Sequence, residues 1–227
     1  MRNVFATTKN VKRFLVAWDQ LNGRCGCLLV YGIEGTGKTR TMVWAKVRFG
    51  GEDRPIPYVR ATRVTTPKGL LEEIVSELGE APAWKTCDIL TQAVRILRER
   101  PRPVIIDEID FLFRDGVVEV LRDIHDLSNA PIILCGMAQA EKKLMRLPHF
   151  YDRLISVVQF QLLDKEDVRE LANQVCEVRL DESAIGLIQE KSNGKLRRIT
   201  TSFYKAERIA KASGLKEVTA AHLSKGD

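Results

Sequence analysis

The sequence reads as an α/β protein, a three-layer α/β/α domain about a five-stranded parallel sheet followed by a small all-helical domain. Three observations predict this. Short apolar runs of strand length alternate with amphipathic segments of helical period, the pattern that builds a parallel sheet covered by helices. The first of these runs, Cys27-Leu28-Leu29-Val30-Tyr31, breaks into a glycine-rich turn that opens into a helix. After Leu163 the strand pattern stops and only helical periodicity continues. The α/β domain is therefore expected over residues 1–163 and the helical domain over 164–227.

Taken in order, the elements justify that reading. Val11, Phe14, Leu15 and Trp18 recur at helical spacing in a short helix before the first strand. A helix over 38–48 follows the glycine-rich turn and stops at Gly50-Gly51. Ile56 to Ala61 forms a second strand. Thr66 then offers an N-cap with Pro67 at the first helical position, and Leu70, Leu71, Ile74, Val75 and Leu78 share one face up to Gly79. A helix from Asp88 to Glu99 turns Ile89, Ala93, Ile96 and Leu97 inward before Pro101 ends it. Pro103 to Asp107 is the third strand, Gly116 to Leu127 a helix, Pro131 to Gly136 the fourth strand, Ala138 to Arg146 a short basic helix and Ser156 to Leu162 the fifth strand. Asp164 and Asp181 cap the next two helices, the second of which ends at Asn193-Gly194. Leu196 to Ser213 closes at Gly214, and a last short helix follows Thr219.

Composition narrows the function classes. A chain of 227 residues with 44% hydrophobic and 29% charged residues can bury a full core and has an ordinary globular balance. Lys and Arg exceed the acids by 36 to 30, and the resulting charge of +6 favours a polyanionic partner without specifying nucleic acid. The five cysteines are odd in number, and three fall inside expected strands or helices, which argues for reduced thiols in a cytoplasmic setting. Cys25-x-Cys27 has no second pair at metal-ligand spacing, which argues against zinc. No signal-peptide pattern opens the chain and no apolar run approaches the ~18 residues of a membrane span, so no membrane partner is expected.

Two landmarks carry chemistry. Gly32-Ile33-Glu34-Gly35-Thr36-Gly37-Lys38-Thr39 has the G-x-x-x-x-G-K-T spacing of a P-loop. Its glycines let backbone N–H groups approach phosphates, Lys38 would neutralise the β and γ oxygens of ATP, and Thr39 would offer its hydroxyl to Mg²⁺. A glycine-rich turn that binds nothing is the plain alternative, but it does not account for the strand before and the helix after. The second landmark is the apolar strand that ends in Asp107-Glu108. Parallel pairing would bring this pair to the sheet edge that carries the P-loop, where Asp107 would hold Mg²⁺ and Glu108 would polarise the attacking water. Alone, two acids at a strand end would be a solvated pair. Beside a P-loop they favour hydrolysis over phosphoryl transfer.

These motifs, in this order, resemble the AAA+ ATPases. Within that superfamily the opening Thr7-Thr8-Lys9-Asn10-Val11-Lys12-Arg13-Phe14, the compact Tyr31 to Thr39 segment, Ile106-Asp107-Glu108-Ile109-Asp110 and the short helical lid resemble the MuB and TnsC group of transposition ATPases, which includes the IstB-like helpers. The resemblance implies an arginine finger at Arg153, with Arg146 as the other candidate. It also implies a nucleotide-reading lid arginine at Arg197, with Arg198 its neighbour and rival. Thr7, Thr8 and Val11 become candidates for contacts to adenine. Cys135-Gly136-Met137 departs from the Asn or Thr common at the end of the fourth strand, which fits slow hydrolysis used as a timer. Such proteins form homo-oligomeric rings or filaments on double-stranded DNA and present it to a transposase. Contacts to DNA are expected at Arg60, Arg63, Thr65 and Lys68, through the ATPase body alone because Lys38 lies so close to Met1. Two alternatives remain: a replication or helicase-loading AAA+ protein, and a nucleotide-gated adaptor with little turnover.

Overall fold

The computed structural model describes residues 1–2, 4–21, 25–114 and 116–224. The last three positions of the expected helical span, 225–227, lie outside the described residues. The chain divides into two compact units. One comprises Arg13–Gly32 and Lys38–Gln159; the other comprises Met1–Lys12, Ile33–Gly37 and the described residues of Phe160–Asp227.

Helix α1 (Lys9–Gln20) starts in the smaller unit and ends in the larger. The larger unit continues with β1 (Cys27–Gly32), α2 (Lys38–Phe49), β2 (Tyr58–Arg60), α3 (Pro67–Glu77), α4 (Thr86–Glu99) and β3 (Val104–Asp107). A 3₁₀ turn (Ile109–Phe111), α5 (Val117–Ser128), β4 (Ile132–Gly136), α6 (Ala140–Leu144), α7 (Pro148–Tyr151) and β5 (Leu154–Phe160), all but its last residue, complete it. The five strands form a parallel sheet in the order β2-β3-β4-β1-β5. Leu29 pairs with Leu134, Ile106 with Leu134, and Arg60 with Asp107. The central strands β1, β3 and β4 are buried almost throughout and apolar except for Asp107 at the end of β3, because helices cover both of their faces. Leu29, Val104, Ile106, Ile132 and Leu134 pack with Leu70, Ile74, Ile89, Leu97 and Leu121 of α3, α4 and α5. The alternate strand residues Leu28, Val30, Ile105 and Ile133 are equally buried on the opposite face, where Met42 and Ala45 of α2 are also buried. Trp18 stacks on Phe49 at 4.4 Å between ring centroids and ties the end of α1 to the end of α2.

Several elements differ from the sequence reading in extent. β2 is confined to Tyr58–Arg60, since Pro57 has no N–H to give the ladder and contributes only its carbonyl, which accepts from Ile105 N at 2.9 Å. The basic helix expected over 138–146 is a single short turn, Ala140–Leu144, and a second turn opens at Pro148, where the sequence predicts no element.

The smaller unit holds α8 (Lys165–Val175), β6 (Arg179–Leu180), α9 (Glu182–Ser192), α10 (Leu196–Ser213), β7 (Glu217–Val218) and α11 (Ala220–Ser224). The expectation of an all-helical domain is corrected in one respect: β6 and β7 form a parallel ladder, Leu180 opposite Val218. Two residues per strand are too few to show a period in the sequence. The helices pack around Val168, Leu171, Ile185, Ile188, Ile199, Phe203 and Ala206. Asp164 caps α8 in a reciprocal box with Asp167, and Asp181 caps α9 by accepting from Ala184 N at 2.7 Å. The first turn of α1 docks here, with Lys9 Nζ between Asp164 (2.7 Å) and Glu166 (2.5 Å). Among the described residues no helix is long and apolar enough to cross a membrane.

Candidate functional site

Parallel pairing brings the carboxyl ends of β1, β3 and β4 to one edge of the sheet, where the chain order reverses on either side of β1. Lys38 and Thr39 open α2 at that edge, and Asp107 and Glu108 leave β3 there. Lys38 Nζ donates to the Gly32 carbonyl at 2.8 Å, so the ammonium lies against the start of the turn it belongs to. The turn residues themselves belong to the smaller unit. Thr36 is buried and donates its hydroxyl to Ile33 O at 2.9 Å, closing the turn. Leu196 N, at the start of α10, donates to Gly35 O at 2.7 Å. Gly37 sits at φ +96°, a conformation that L side chains rarely adopt, and a Cβ there would lie 2.7 Å from the Leu196 side chain.

Asp107 is 2% exposed and accepts from Tyr58 Oη at 2.8 Å and Glu108 N at 2.9 Å. The Cys135 thiol also hydrogen-bonds to it. Burial, then Asp107, pushes the Tyr58 phenol and the Cys135 thiol well above their ordinary pKa values, so both are protonated donors at neutral pH. These donors are neutral, and a buried carboxylate held by neutral donors suits a site that a hard cation completes with oxygen ligands. The Thr39 hydroxyl and Asp107 are the residues that fit Mg²⁺. Glu108 follows at φ +58° and ψ +40°, left-handed for a residue with a side chain, and its carboxylate meets Arg60 Nη2 at 3.3 Å.

The end of β4 is fixed from the same side. Asp110 accepts from Met137 N and pairs with Lys143 Nζ at 2.9 Å. A side chain at Gly136 would meet Ala140 Cβ at 2.5 Å and Ile109 Cγ2 at 2.7 Å, so only glycine admits the 3₁₀ turn this close. Asp110, Tyr58 and the Cys135 contact were not singled out from sequence as parts of the site. The Asp110 side of that network was signalled only by the acid two positions after Glu108.

The remaining expected residues fall as follows. Arg153 gives Nε and Nη2 to the Asp126 carboxylate and Nη1 to the His149 carbonyl, so it is tied to α5 and α7 of its own chain. Arg146 is exposed in the turn between α6 and α7. Arg197 and Arg198 are both exposed in the first turn of α10, one and two positions beyond the residue that meets the P-loop turn. Thr7 N donates to Gln174 Oε1, while Thr8 and Val11 are buried around the start of α1. Of the four candidates for DNA contact, Arg63 is exposed, Arg60 engages Glu108, and Lys68 lies over the Trp84 ring and pairs with Glu72. Thr65 is 8% exposed, and its hydroxyl accepts from Thr62 N at 2.9 Å, a position that shapes the loop from inside. No cluster of His, Cys, Asp and Glu suited to a metal occurs among the described residues.

This strand order, with the glycine-rich turn after β1, Lys-Thr opening α2 and Asp-Glu after β3, defines a P-loop AAA+ fold. The chain belongs to the AAA domain family, which matches residues 21–144. A Staphylococcus aureus protein described as a potential ATP-binding protein is 31% identical over 125 residues, 51% of this chain and 46% of that one. The match therefore spans less than half of that relative. Among solved structures, the Aeropyrum pernix ORC2 protein in its ADP form superposes with a TM-score of 0.74 at 16% identity, covering 99% of this chain and 70% of that one. The Aeropyrum pernix ORC1 protein, solved in complex with DNA, gives 0.68 at 19% identity over 99% of this chain and 65% of its own. The Thermotoga maritima RuvB Holliday junction branch migration motor gives 0.57 at 19% identity, covering 97% and 68%. At these identities the likeness is one of fold.

Proposed function

We propose that this chain is an Mg²⁺-dependent ATP hydrolase that assembles on double-stranded DNA and regulates transposition by presenting target DNA to a transposase. The observation that carries the hydrolase reading is the gathering of Lys38, Thr39, Asp107 and Glu108 at one sheet edge, with Glu108 in a left-handed backbone conformation that aims it away from the strand. In this reading Lys38 exchanges the Gly32 carbonyl for the β- and γ-phosphate oxygens of ATP. Tyr58 and Cys135 hold Asp107 in place. Glu108, released from Arg60, orients a water and takes its proton, a role worth about 10²–10⁴ in rate. Mg²⁺, held by Thr39 and Asp107, would supply charge neutralisation at the phosphates. Arg153 would leave Asp126 for the γ-phosphate of a neighbouring subunit, and Arg197 would read the nucleotide from the same chain.

The DNA reading is supported by the basic segment Arg60 to Lys68 and by the likeness of the whole chain to an ORC1 protein solved with DNA. The transposition reading rests on the resemblance of the motifs to the MuB and TnsC group. The ORC and RuvB likeness equally suits a replication or helicase-loading protein. ATP hydrolysis with and without duplex DNA, read beside electron micrographs in a slowly hydrolysed ATP analogue, tests the proposal. DNA-coating rings or filaments whose turnover needs Lys38 and Glu108 support it. Nucleotide binding without DNA association at low salt rules out the DNA-assembling reading and leaves the nucleotide-gated adaptor.

A further inference from the structure

The most exposed large apolar side chain among the described residues is Trp84, 87% accessible in the loop between α3 and α4. A tryptophan left in water has no packing reason to be there, so its surroundings bear on what covers it. Lys68 Nζ, in the first turn of α3, lies over the indole at 5.1 Å from the ring centroid. The loop returns along α4: Ala83 N donates to Gln92 Oε1 at 3.0 Å, and Glu80 bonds Gln92 and Arg95 further along the same helix. Thus α3 and α4 start at the same end, and Trp84-Lys85 stands beside the start of α3. The segment that feeds that start, Arg60 to Leu71, contains Arg60, Arg63 and Lys68 and no acid. Val64 in it is 83% exposed. Glu72 is paired with Lys68, and Glu80 with Arg95.

We infer that Trp84 is the stacking element of a nucleic-acid surface formed with Arg63, Lys68 and Lys85, and that its ligand is DNA with an accessible base face, such as a gapped or kinked duplex. The inference rests on the DNA-binding reading above and deepens it. Cations follow the phosphates of either strand form, whereas an indole gains from DNA only where a base is unstacked to meet it. A surface of lysines alone would treat intact and gapped duplex alike. This one discriminates between them.

The test uses the full chain with a fluorescently labelled duplex and the same duplex carrying a short single-stranded gap, at fixed low salt. The wild type is expected to bind gapped DNA about tenfold more tightly than intact duplex, the scale of one base stacked on an aromatic ring. Its tryptophan fluorescence should be quenched on binding. W84A should lose both the preference and the quenching, and W84F should recover the preference. Because Trp84 is almost fully in water, W84A should unfold at the wild-type midpoint, which separates lost contact from lost fold. If W84A binds both DNAs as the wild type does, the stacking role is wrong, a protein becomes the occupant of this surface, and DNA binding by the chain stands. If the wild type binds neither DNA, the DNA reading and this inference fall together.

Discussion

Glu108 is the residue at which backbone and chemistry meet. A left-handed conformation costs a non-glycine residue about 1–2 kcal/mol, and the chain bears this where the carboxylate must leave the line of β3. Glu108→Gln keeps the shape and removes the carboxylate proposed as the base. It is expected to leave ATP binding intact and to lower turnover at least about a hundredfold, so unchanged turnover in a phosphate-release assay would remove Glu108 from the mechanism. Arg60 holds that carboxylate across the strand gap. Gly37 is decided by conformation more than by room, because the atom a Cβ would meet is the far end of a flexible leucine, whereas φ +96° is fixed by the turn. Gly37→Ala should lose about 1–2 kcal/mol of stability and weaken ATP binding, both readable from thermal unfolding with and without nucleotide.

At the scale of elements, caps and ion pairs set the margins. Thr66 Oγ1 accepts from Gly69 N at 3.1 Å at the start of α3, and Thr66→Ala should cost about 1 kcal/mol in denaturant unfolding. In the smaller unit, the Lys9 hydrogen bond holds Asp164 below the ordinary carboxylate range, and Arg169 followed by Lys165 brings Glu182 to about 2. A carboxylate depressed in the folded state stabilises it above the unfolded pKa near 4 and loses that effect as pH falls through the folded value. The smaller unit should therefore lose stability between about pH 4 and pH 2, and high salt should blunt the loss because both pairs are exposed. A flat acid profile by circular dichroism would show that these pairs contribute nothing.

At the scale of the molecule, ligand binding and assembly are the quantities to read. If Thr39 and Asp107 hold Mg²⁺, ATP should raise the unfolding midpoint with Mg²⁺ and much less after chelation, since a ligand that binds only the folded state stabilises it in proportion to ln(1 + [L]/Kd). The Arg153–Asp126 pair is partly exposed, so Arg153→Ala should leave ATP binding unchanged and lower the stability of the single chain by no more than about 1 kcal/mol. If the chain assembles on DNA as proposed, the same change should remove most turnover there, and mixing with Glu108→Gln chains should restore part of it, because an intact Arg153 from a Glu108→Gln chain then completes the site of an Arg153→Ala neighbour. Failure of mixed assemblies to recover activity would place Arg153 outside the neighbour's site.

Much of this was legible in the sequence because it is local. Strand runs buried on both faces announce themselves as unbroken apolar stretches, and Thr66, Asp164, Asp181 and Gly214 mark helix ends by chemistry confined to a few residues. The P-loop and Asp107-Glu108 were readable for the same reason, and the five strands with two-sided cover followed from their alternation. Only the tertiary structure decided what depends on distant segments meeting. It set Tyr58 and Cys135 on Asp107, Arg60 on Glu108, Asp126 on Arg153, and Lys68 over the ring of the exposed Trp84. It also turned Thr65 inward and added the two-residue ladder of β6 and β7. The sequence determined which elements form and which groups stand at their ends. Pairing between groups far apart in the chain follows from register and crossover, which no local period encodes.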